Sequence, residues 1–186
     1  MQDKKSEILA EALRLFKEKG YENVTVNEIA SESHISKNTF YYYYYESKEE
    51  LICSLFEPGS EDIGRMLGRM LQYSDPYEQI LCFFRSITDY FMYLGKDVVR
   101  QALVMNLSKD LLPHGEVNVD EKVKPFIAVF ERAVEEKRIR QDVDVWKLLA
   151  GCGVVLMGCL QIWATGRKER DLSVIVKEGI EIVLKP

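Results

Sequence analysis

The sequence predicts an all-α protein in which an N-terminal three-helix head with a helix-turn-helix precedes a C-terminal helical bundle. Three observations support this fold class. Apolar residues recur at helical spacing from Ile8 to Phe16. Residues 25–51 contain two short helical segments joined by a tight turn, and a third helix follows them. Residues 148–160 form a run without any polar side chain, which is typical of a helix buried on all sides.

The first helix ends at Gly20, a residue that tolerates the backbone angles found after a helix C-terminus. Its apolar face consists of Ile8, Leu9, Ala12, Leu13 and Phe16. This stripe is suited to pack against the helices that follow, so we expect it to form the base of the head.

Local capping signals predict the next three helices. Thr25 and Glu28 have the spacing of a capping box, which predicts a helix from Val26. Ser36 predicts the start of a second helix. A second capping box, formed by Ser47 and Glu50, predicts a further helix.

His34 lies in the turn between the two short helices, where helix-turn-helix motifs usually have glycine. A residue that ends a helix there often takes a positive φ, which His adopts less easily than Gly. We therefore expect a positive φ at His34 with slight strain.

The second short helix carries side chains suited to the DNA major groove. Asn38 can both donate to and accept from an adenine edge, and Lys37 suits guanine or phosphate. A row of tyrosines follows, from Tyr41 to Tyr45. Alternate tyrosines on a short helix often pack inward, so part of this row is expected to fill the core.

These segments resemble the N-terminal head of TetR-type transcriptional regulators. The resemblance rests on ILAEALRLFKEKGYENVTVNEIA, then ISKNTFYYYY and SKEEL, and covers about the first third of the chain. It implies a DNA-binding domain over residues 1–56 and an effector-binding and dimerisation domain over residues 57–186. The DNA contacts that it implies, together with the helix caps, are Thr25, Ser36, Lys37, Asn38, Thr39, Tyr41, Tyr42, Tyr43 and Lys48.

Two departures from the family pattern affect this head. His34 replaces the usual turn glycine, and the segment from Phe40 to Ser47 is one residue longer than usual. Either the recognition helix is extended or the loop after it is looser, so the register of residues 43–45 stays open. Tyr44 corresponds to the family's aromatic core position.

The charge of the chain is unusual for a protein that binds DNA. Its formal net charge is −5, and residues 1–56 contain seven Lys or Arg against ten Asp or Glu. Because DNA-binding surfaces are more often basic, contacts must depend on a few cations, namely Lys37, Lys48 and Lys4 or Lys5, with hydroxyls and backbone amides.

The segment from Phe56 to Ser60 contains Pro58 and Gly59 and cannot continue a regular helix, so the body is expected to begin there, at a hinge or a simple loop. Helical patterns then cover residues 77–93, 98–112 and 123–134, with an interruption at residues 111–115. The final helix is expected over residues 172–184.

The resemblance implies a pocket for a hydrophobic or aromatic effector between the helices of the body, although ordinary core packing explains most of the apolar residues there. Arg85, Asp89 and Arg100 are candidate polar groups for the effector, or else solvated surface residues. The candidate lining residues are Met66, Met70, Phe83, Phe84, Ile87, Tyr90, Phe91, Met105, Phe126 and Phe130.

The last two helices resemble the family's dimerisation surface, which implies a homodimer that forms a four-helix bundle. Burial within a monomer is the alternative. The apolar run of residues 148–160 is shorter than the roughly 20 residues that a membrane span needs. Candidate interface residues are Leu149, Cys152, Leu156, Cys159, Trp163, Ile175 and Ile182.

The expected function is therefore that of a ligand-responsive, homodimeric regulator, most often a repressor, that binds a palindromic double-stranded operator in the cytoplasm. No nucleophile motif, phosphate loop or metal-type spacing is found in the sequence, so we expect neither an enzyme nor a cofactor or metal. The four cysteines are expected to be core residues. The alternative is a dimeric small-molecule-binding module whose head has weak or lost DNA binding.

Overall fold

The computed structural model describes residues 2–56, 59–107, 124–166 and 171–185. Within these ranges the chain is helical and has no β-strand, which confirms the predicted all-α class. The helices are α1 (Gln2–Lys19), α2 (Val26–Glu32), α3 (Lys37–Tyr43), α4 (Lys48–Phe56), α5 (Ser60–Met70), α6 (Pro76–Leu94), α7 (Lys96–Leu107), α8 (Lys124–Glu135), α9 (Val145–Thr165) and α10 (Leu172–Leu184). A short 3₁₀ turn, Tyr21–Asn23, joins α1 to α2.

The helices form two compact units. The first unit contains α1–α4 together with α7, and the second contains α5, α6, α8, α9 and α10. The predicted limit of the head at residue 56 stays a prediction, because α7 packs with the head helices although it lies far from them in sequence.

The core of the first unit follows the apolar stripe of α1. Ile8, Ala12 and Phe16 are fully buried, and Ile29 of α2 and Phe40 of α3 are buried with them. Gly20 has a φ of +79° and ends α1 as the sequence predicts, with its N–H donating to the Phe16 carbonyl at 2.9 Å.

In the second unit α10 lies close against α9. A Cβ atom added at Gly179 of α10 would lie 2.5 Å from Cγ1 of Val155 on α9, so any residue larger than glycine requires Val155 to move. A Cβ atom added at Gly151 of α9 would lie 3.4 Å from Cγ1 of Val183 on α10, which is an ordinary contact distance. On α6 and α8 the rings of Phe83 and Phe126 stack with centroids 3.8 Å apart.

Helix α9 differs from the prediction that it is buried on all sides. Val154 and Ile162 are 74% and 56% exposed in the single chain, because only one side of α9 faces the body. The helix extends over 21 residues and is long and apolar enough to cross a membrane by length and composition alone. The core helix of a soluble protein has the same properties, so this is weak evidence for a membrane span.

The predicted breaks lie largely outside the described residues. Helix α4 ends at Phe56 and α5 begins at Ser60, and residues 57 and 58 between them are not described. The N–H of Gly59 donates to the Asp62 carboxylate at 3.1 Å and so caps α5. The interruption at residues 111–115 lies outside the described part of the chain.

Candidate nucleic-acid interface and body grooves

The start of α2 is fixed by the predicted capping box. The Thr25 N–H donates to Oε2 of Glu28 at 2.8 Å, and the Glu28 N–H donates to Oγ1 of Thr25 at 3.2 Å. The backbone bond from Thr25 is the largest cause that lowers the pKa of Glu28 to about 2, and the Lys19 ammonium contributes as well. Glu28 is therefore a carboxylate at neutral pH, and the Thr25 side chain lies exposed beside it.

The turn between α2 and α3 has the predicted geometry. His34 has a φ of +53°, and its N–H donates to the Ser31 carbonyl at 3.0 Å. The N–H of Ile35 then donates to the Ala30 carbonyl at 2.9 Å, which closes the turn. The imidazole of His34 is exposed, so this replacement of glycine keeps the backbone path.

Helix α3 presents one polar and aromatic face outward. Ser36 caps it by accepting the Thr39 N–H at 3.0 Å, and Phe40 is fully buried beneath it. Lys37 and Asn38 are exposed at its N-terminus, and Tyr41, Tyr42 and Tyr43 are 41%, 81% and 62% exposed. Asn38, Thr39 and these three tyrosines line a shallow concave surface.

The long tyrosine row is accommodated in the loop after α3. Helix α3 ends at Tyr43, and the N–H groups of Tyr44 and Tyr45 both donate to the Phe40 carbonyl, at 3.1 and 3.0 Å. Tyr45 is 1% exposed with its ring 5.6 Å from that of Phe40. The assignment of Tyr44 to the core is therefore wrong, because the extra residue shifts the buried ring by one position. Tyr43 stays on the outer face.

Helix α4 begins with half of the predicted capping box. The Glu50 N–H donates to Oγ of Ser47 at 3.0 Å, but the Glu50 carboxylate accepts the N–H of Glu46 rather than that of Ser47. The ammonium of Lys48 donates to the carbonyls of Tyr21 and Val24. The phosphate contact expected of Lys48 stays a prediction, and these two bonds compete with it.

Three cations of the head, Lys4, Arg14 and Lys19, are paired with carboxylates. Arg14 contacts Glu11, Glu18 and Glu32 at 2.6–3.0 Å. Lys4 pairs with Glu7 at 2.8 Å, and Lys19 pairs with Glu28 at 3.0 Å. In the described part of the head no ion pair involves Lys37, whose ammonium lies 5.9 Å from the ring centroid of Tyr41.

Two grooves lie in the second unit. The first, about 300 Å³, lies between α5 and α6. Of the predicted effector residues it contains Met66 and Tyr90, and Arg69 pairs across it with Asp89 at 3.1 Å. Sequence reasoning missed Arg65, Arg69 and Tyr93, because exposed charges at this spacing are indistinguishable from a solvated helix face. The second groove, about 220 Å³ between α6 and α10, contains Phe84 and Arg85.

The other predicted effector residues are not brought together in one pocket. Met70, Phe91, Phe126 and Phe130 are buried, and Phe83 and Ile87 are half-buried. Met105 and Arg100 belong to α7 in the first unit, where Arg100 pairs with Asp97. These residues do not line the groove between α5 and α6, because helical periodicity does not indicate which side of a helix meets which neighbour, and their role in effector binding stays a prediction.

The predicted interface residues of α9 and α10 differ in exposure: some are buried in the single chain and others are exposed. Cys152 is 0% exposed and Trp163 is 8% exposed, so the placement of both at the surface is wrong. Ile182 is 74% exposed, and Leu149, Leu156, Cys159 and Ile175 are half-buried. The exposed large apolar side chains of these two helices are Trp146, Val154, Met157, Ile162, Val174 and Ile182, of which Val174 also lines the groove between α6 and α10.

The described residues contain no group of His, Cys, Asp and Glu side chains that could hold a metal ion. The cysteines at positions 53, 82, 152 and 159 are free thiols. Burial raises the pKa of Cys152 to about 12, so this thiol stays protonated at neutral pH.

A capped, outward-facing helix that carries Lys37 and Asn38 after a tight turn defines the head as a helix-turn-helix DNA-binding domain. Residues 8–55 match the model of the tetR family of bacterial regulatory proteins. The head of the chain is therefore similar to the DNA-binding domain of tetR-type transcriptional regulators.

Two comparisons extend the match. The HTH-type transcriptional regulator YerO of Bacillus subtilis is 46% identical over 57 residues, which cover 31% of this chain. The matched part spans only 19% of the length of YerO. The crystal structure of the TetR-family repressor FadR of Thermus thermophilus, in complex with lauroyl-CoA, has a TM-score of 0.70 at 18% identity and covers 96% of this chain and 92% of its own.

A further solved structure has the same fold. FadR of Bacillus subtilis, in complex with stearoyl-CoA, has a TM-score of 0.64 at 16% identity. It covers 96% of this chain and 97% of its own. At these identities the likeness shows the shared helical fold alone.

Proposed function

We propose that the chain is a ligand-responsive repressor that binds a near-palindromic operator as a homodimer. The observation that carries this proposal is the outward face of α3, where Lys37, Asn38 and Tyr41–Tyr43 are all exposed on a capped helix. Residues 1–56 act as the DNA-binding domain and residues 57–186 as the effector and dimerisation domain. In this role the protein acts in the bacterial cytoplasm.

Asn38 is the residue that we assign to base reading, because its amide can bond an adenine edge with two hydrogen bonds. Lys37 and the hydroxyls of Ser36 and Thr39 lie beside it at the start of the helix, where phosphate or guanine contacts fit. The exposed tyrosine rings supply further contacts to phosphates and to thymine methyl groups. Thr25 supplies a hydroxyl at the start of α2.

The dimer is supported by the outward side of α9 and α10. Val154, Met157, Ile162, Val174 and Ile182 are exposed and apolar on two helices that already pack together. Covering such a surface with a second copy removes apolar area from water and creates a four-helix bundle. Two-fold symmetry then presents two α3 helices to successive major grooves.

The effector that we propose is a small molecule with an apolar body. The groove between α5 and α6 combines Met66 and Tyr90 with Arg65 and Arg69, and an anionic group of the ligand could bind these arginines only by displacing their partners Asp62 and Asp89. Two FadR proteins of similar fold hold acyl-CoA esters, which have this chemistry. An effector that prefers one arrangement of the two heads by about 1–3 kcal/mol would change operator affinity roughly 5- to 150-fold.

A second candidate function is a dimeric sensor without useful DNA binding. It is favoured by the charge of the head, which has ten carboxylates against seven cations, three of which pair with carboxylates in the described residues. In that case substitution of Lys37 and Asn38 would change no activity of the protein in cells.

Selection of duplexes from a random pool at about 0.1 M salt separates the two candidates. The repressor proposal expects enrichment of a near-palindrome that binds two protomers. Asn38→Ala should then weaken binding by about 1–3 kcal/mol and relax specificity at one base pair per half-site. The exposed amide of Gln141 in the body provides the control variant Gln141→Ala, which should bind as the wild type does. A stable dimer that enriches no sequence would favour the sensor.

A further inference from the structure

Lys48 occupies a position that links both ends of the helix-turn-helix. Val24 immediately precedes Thr25, the N-cap of α2, and Lys48 is the first residue of α4, after the loop that follows α3. The Lys48 ammonium donates to the Val24 carbonyl at 2.9 Å and to the Tyr21 carbonyl at 3.0 Å. One side chain therefore joins the residue before the motif to the helix after it.

The partners of this ammonium are themselves fixed. Tyr21 and Val24 are 3% and 1% exposed, and the Tyr21 N–H donates to the Asp97 carboxylate at 3.4 Å. The Lys48 ammonium lies 4.0 Å from the centroid of the Tyr21 ring, within the range of a cation–π interaction. On the other side α4 is anchored by Leu51, which is fully buried. The link therefore connects two rigid points of the head.

An ammonium has three N–H donors, and two of them are used on these carbonyls. If Lys48 extended towards a phosphate away from Tyr21, it would give up both bonds and its contact with the Tyr21 ring, and only its third donor could reach a phosphate without breaking them. Lys37, in contrast, forms no ion pair with a described carboxylate and already lies on the outer face. Lys37 is therefore better placed than Lys48 to neutralise a phosphate.

We infer that Lys48 is a positioning residue that closes the helix-turn-helix and holds α3 for base reading, rather than a phosphate contact. This inference rests on the proposed operator binding. Lys48 affects base reading indirectly, because it holds α3, the helix that carries Asn38, within the segment that it closes.

The salt dependence of operator binding separates this role from a phosphate contact. The test uses full-length Lys48→Met, which keeps the alkyl stem over Tyr21 but loses the charge and the donors. Positioning predicts binding weaker on the order of tenfold, because a hydrogen bond to a charged group contributes about that factor. The slope of log K against log [salt] should not change. A phosphate contact would instead reduce the slope of the dimer by about 1.8, about 0.9 for each of two lysines.

A double-mutant cycle separates positioning from a general loss of folded protein. If Lys48 holds α3, Asn38→Ala should cost much less in the Lys48→Met background than in the wild type. Any loss from Lys4→Met, whose ammonium pairs with Glu7 on α1 outside the closed segment, should be the same in both backgrounds. Fully additive losses for Asn38 would overturn the inference, because they would mean only that fewer molecules are active.

Hydrogen exchange provides a measurement that needs no DNA. In Lys48→Met the amides of Ile29 in α2 and Phe40 in α3 should exchange faster, while those of α6 in the other unit should not change. Lys147→Met, at an exposed position in α9, is the matched control and should leave all of them unchanged. Unchanged exchange in α2 and α3 of Lys48→Met would overturn the inference, whether or not the wild type binds a specific duplex. Failure of the wild type to enrich any duplex would refute only the proposed function.

Discussion

Raising the salt concentration should weaken operator binding much less than is usual for a protein of this function. Each phosphate that a cation neutralises contributes about −0.9 to the slope of log K against log [salt]. The described head offers Lys37, and Lys5 next to the Tyr45 ring, as cations that no described carboxylate pairs. Two heads therefore neutralise two to four phosphates, which corresponds to a slope of about −1.8 to −3.6.

This range translates into a measurable loss of affinity. Between 50 and 200 mM salt the dimer should lose about 12- to 150-fold, whereas a protein with six to ten phosphate contacts loses about 10³- to 10⁵-fold over the same interval. Fluorescence anisotropy of the selected duplex at five salt concentrations measures the slope. Lys37→Met should reduce the slope by about 1.8 for the dimer, and Asn38→Ala should leave it unchanged.

A slope steeper than about −5 would refute the reasoning, because it would require more neutralised phosphates than the unpaired cations can supply. A slope that Lys37→Met leaves unchanged would refute the assignment of Lys37 to a phosphate. Either result would mean that paired groups such as Arg14 exchange their carboxylate partners for DNA.

Three further changes test the packing, the capping and the assembly. Gly179→Ala should destabilise the fold by about 1–3 kcal/mol in urea denaturation, because its new methyl group would lie 2.5 Å from the stiff side chain of Val155. The Thr25 N–H lowers the folded-state pKa of Glu28 to about 2. The Glu28 carboxylate should therefore stabilise the fold fully above pH 4.5 and lose this contribution as the pH falls towards 2. Between pH 6 and pH 3 the free energy of unfolding should fall more in the wild type than in Glu28→Gln. Ile182→Lys should shift the dimer to monomers in sedimentation equilibrium, because Ile182 lies on the exposed apolar side of α10.

Matched variants show what would contradict these three expectations. Gly64→Ala, in the middle of α5 with open space around it, should stabilise the protein by about 1 kcal/mol, so an equal gain from Gly179→Ala would refute the close approach. A Glu28→Gln protein with the same acid sensitivity as the wild type would refute the carboxylate account. Leu71→Lys is also an exposed apolar-to-charged change, and a dimer equally weakened by it would show that the interface lies elsewhere.

The head could be predicted in detail because its signals are local. Thr25 and Ser36 cap helices that begin one residue later, and the positive φ of His34 follows from its place in a tight turn. The assignment of Tyr44 to the core failed for a reason that no local signal reveals. A one-residue insertion can lengthen a helix or enter the loop, and packing against Phe40 decides between them.

The body could be predicted only in its helical segments. Helix α10 has the predicted bounds, but α9 is apolar on both sides, so its sequence does not distinguish the side that packs inward from the side that faces outward. The candidates Leu149, Leu156 and Trp163 are spaced seven residues apart, and side chains at this spacing drift by about 20° per seven residues around a straight helix, so they do not stay on one side of it. Trp163 therefore faces inward, while Val154, which the spacing did not select, is exposed.

The effector groove was the least predictable feature. Its residues come from α5 and α6, which the sequence shows as separate amphipathic segments without indicating how they pair. Arg65 and Arg69 look like solvated charges until Asp62 and Asp89 are seen beside them. Tertiary packing, which the sequence pattern does not encode residue by residue, decides which side chains line such a groove.

The most direct test of the central claim, that α3 reads bases through Asn38, compares the affinities of the wild type and of Asn38→Ala for two duplexes. The dissociation constants of the wild type and of Asn38→Ala are measured on the selected near-palindrome and on a scrambled duplex at the same salt concentration. We expect the wild type to prefer the selected duplex by at least about 10³-fold. Asn38→Ala should reduce this preference by about 5- to 150-fold, the equivalent of about 1–3 kcal/mol, while it binds the scrambled duplex as before. Equal affinity of the wild type for both duplexes would contradict base reading by α3.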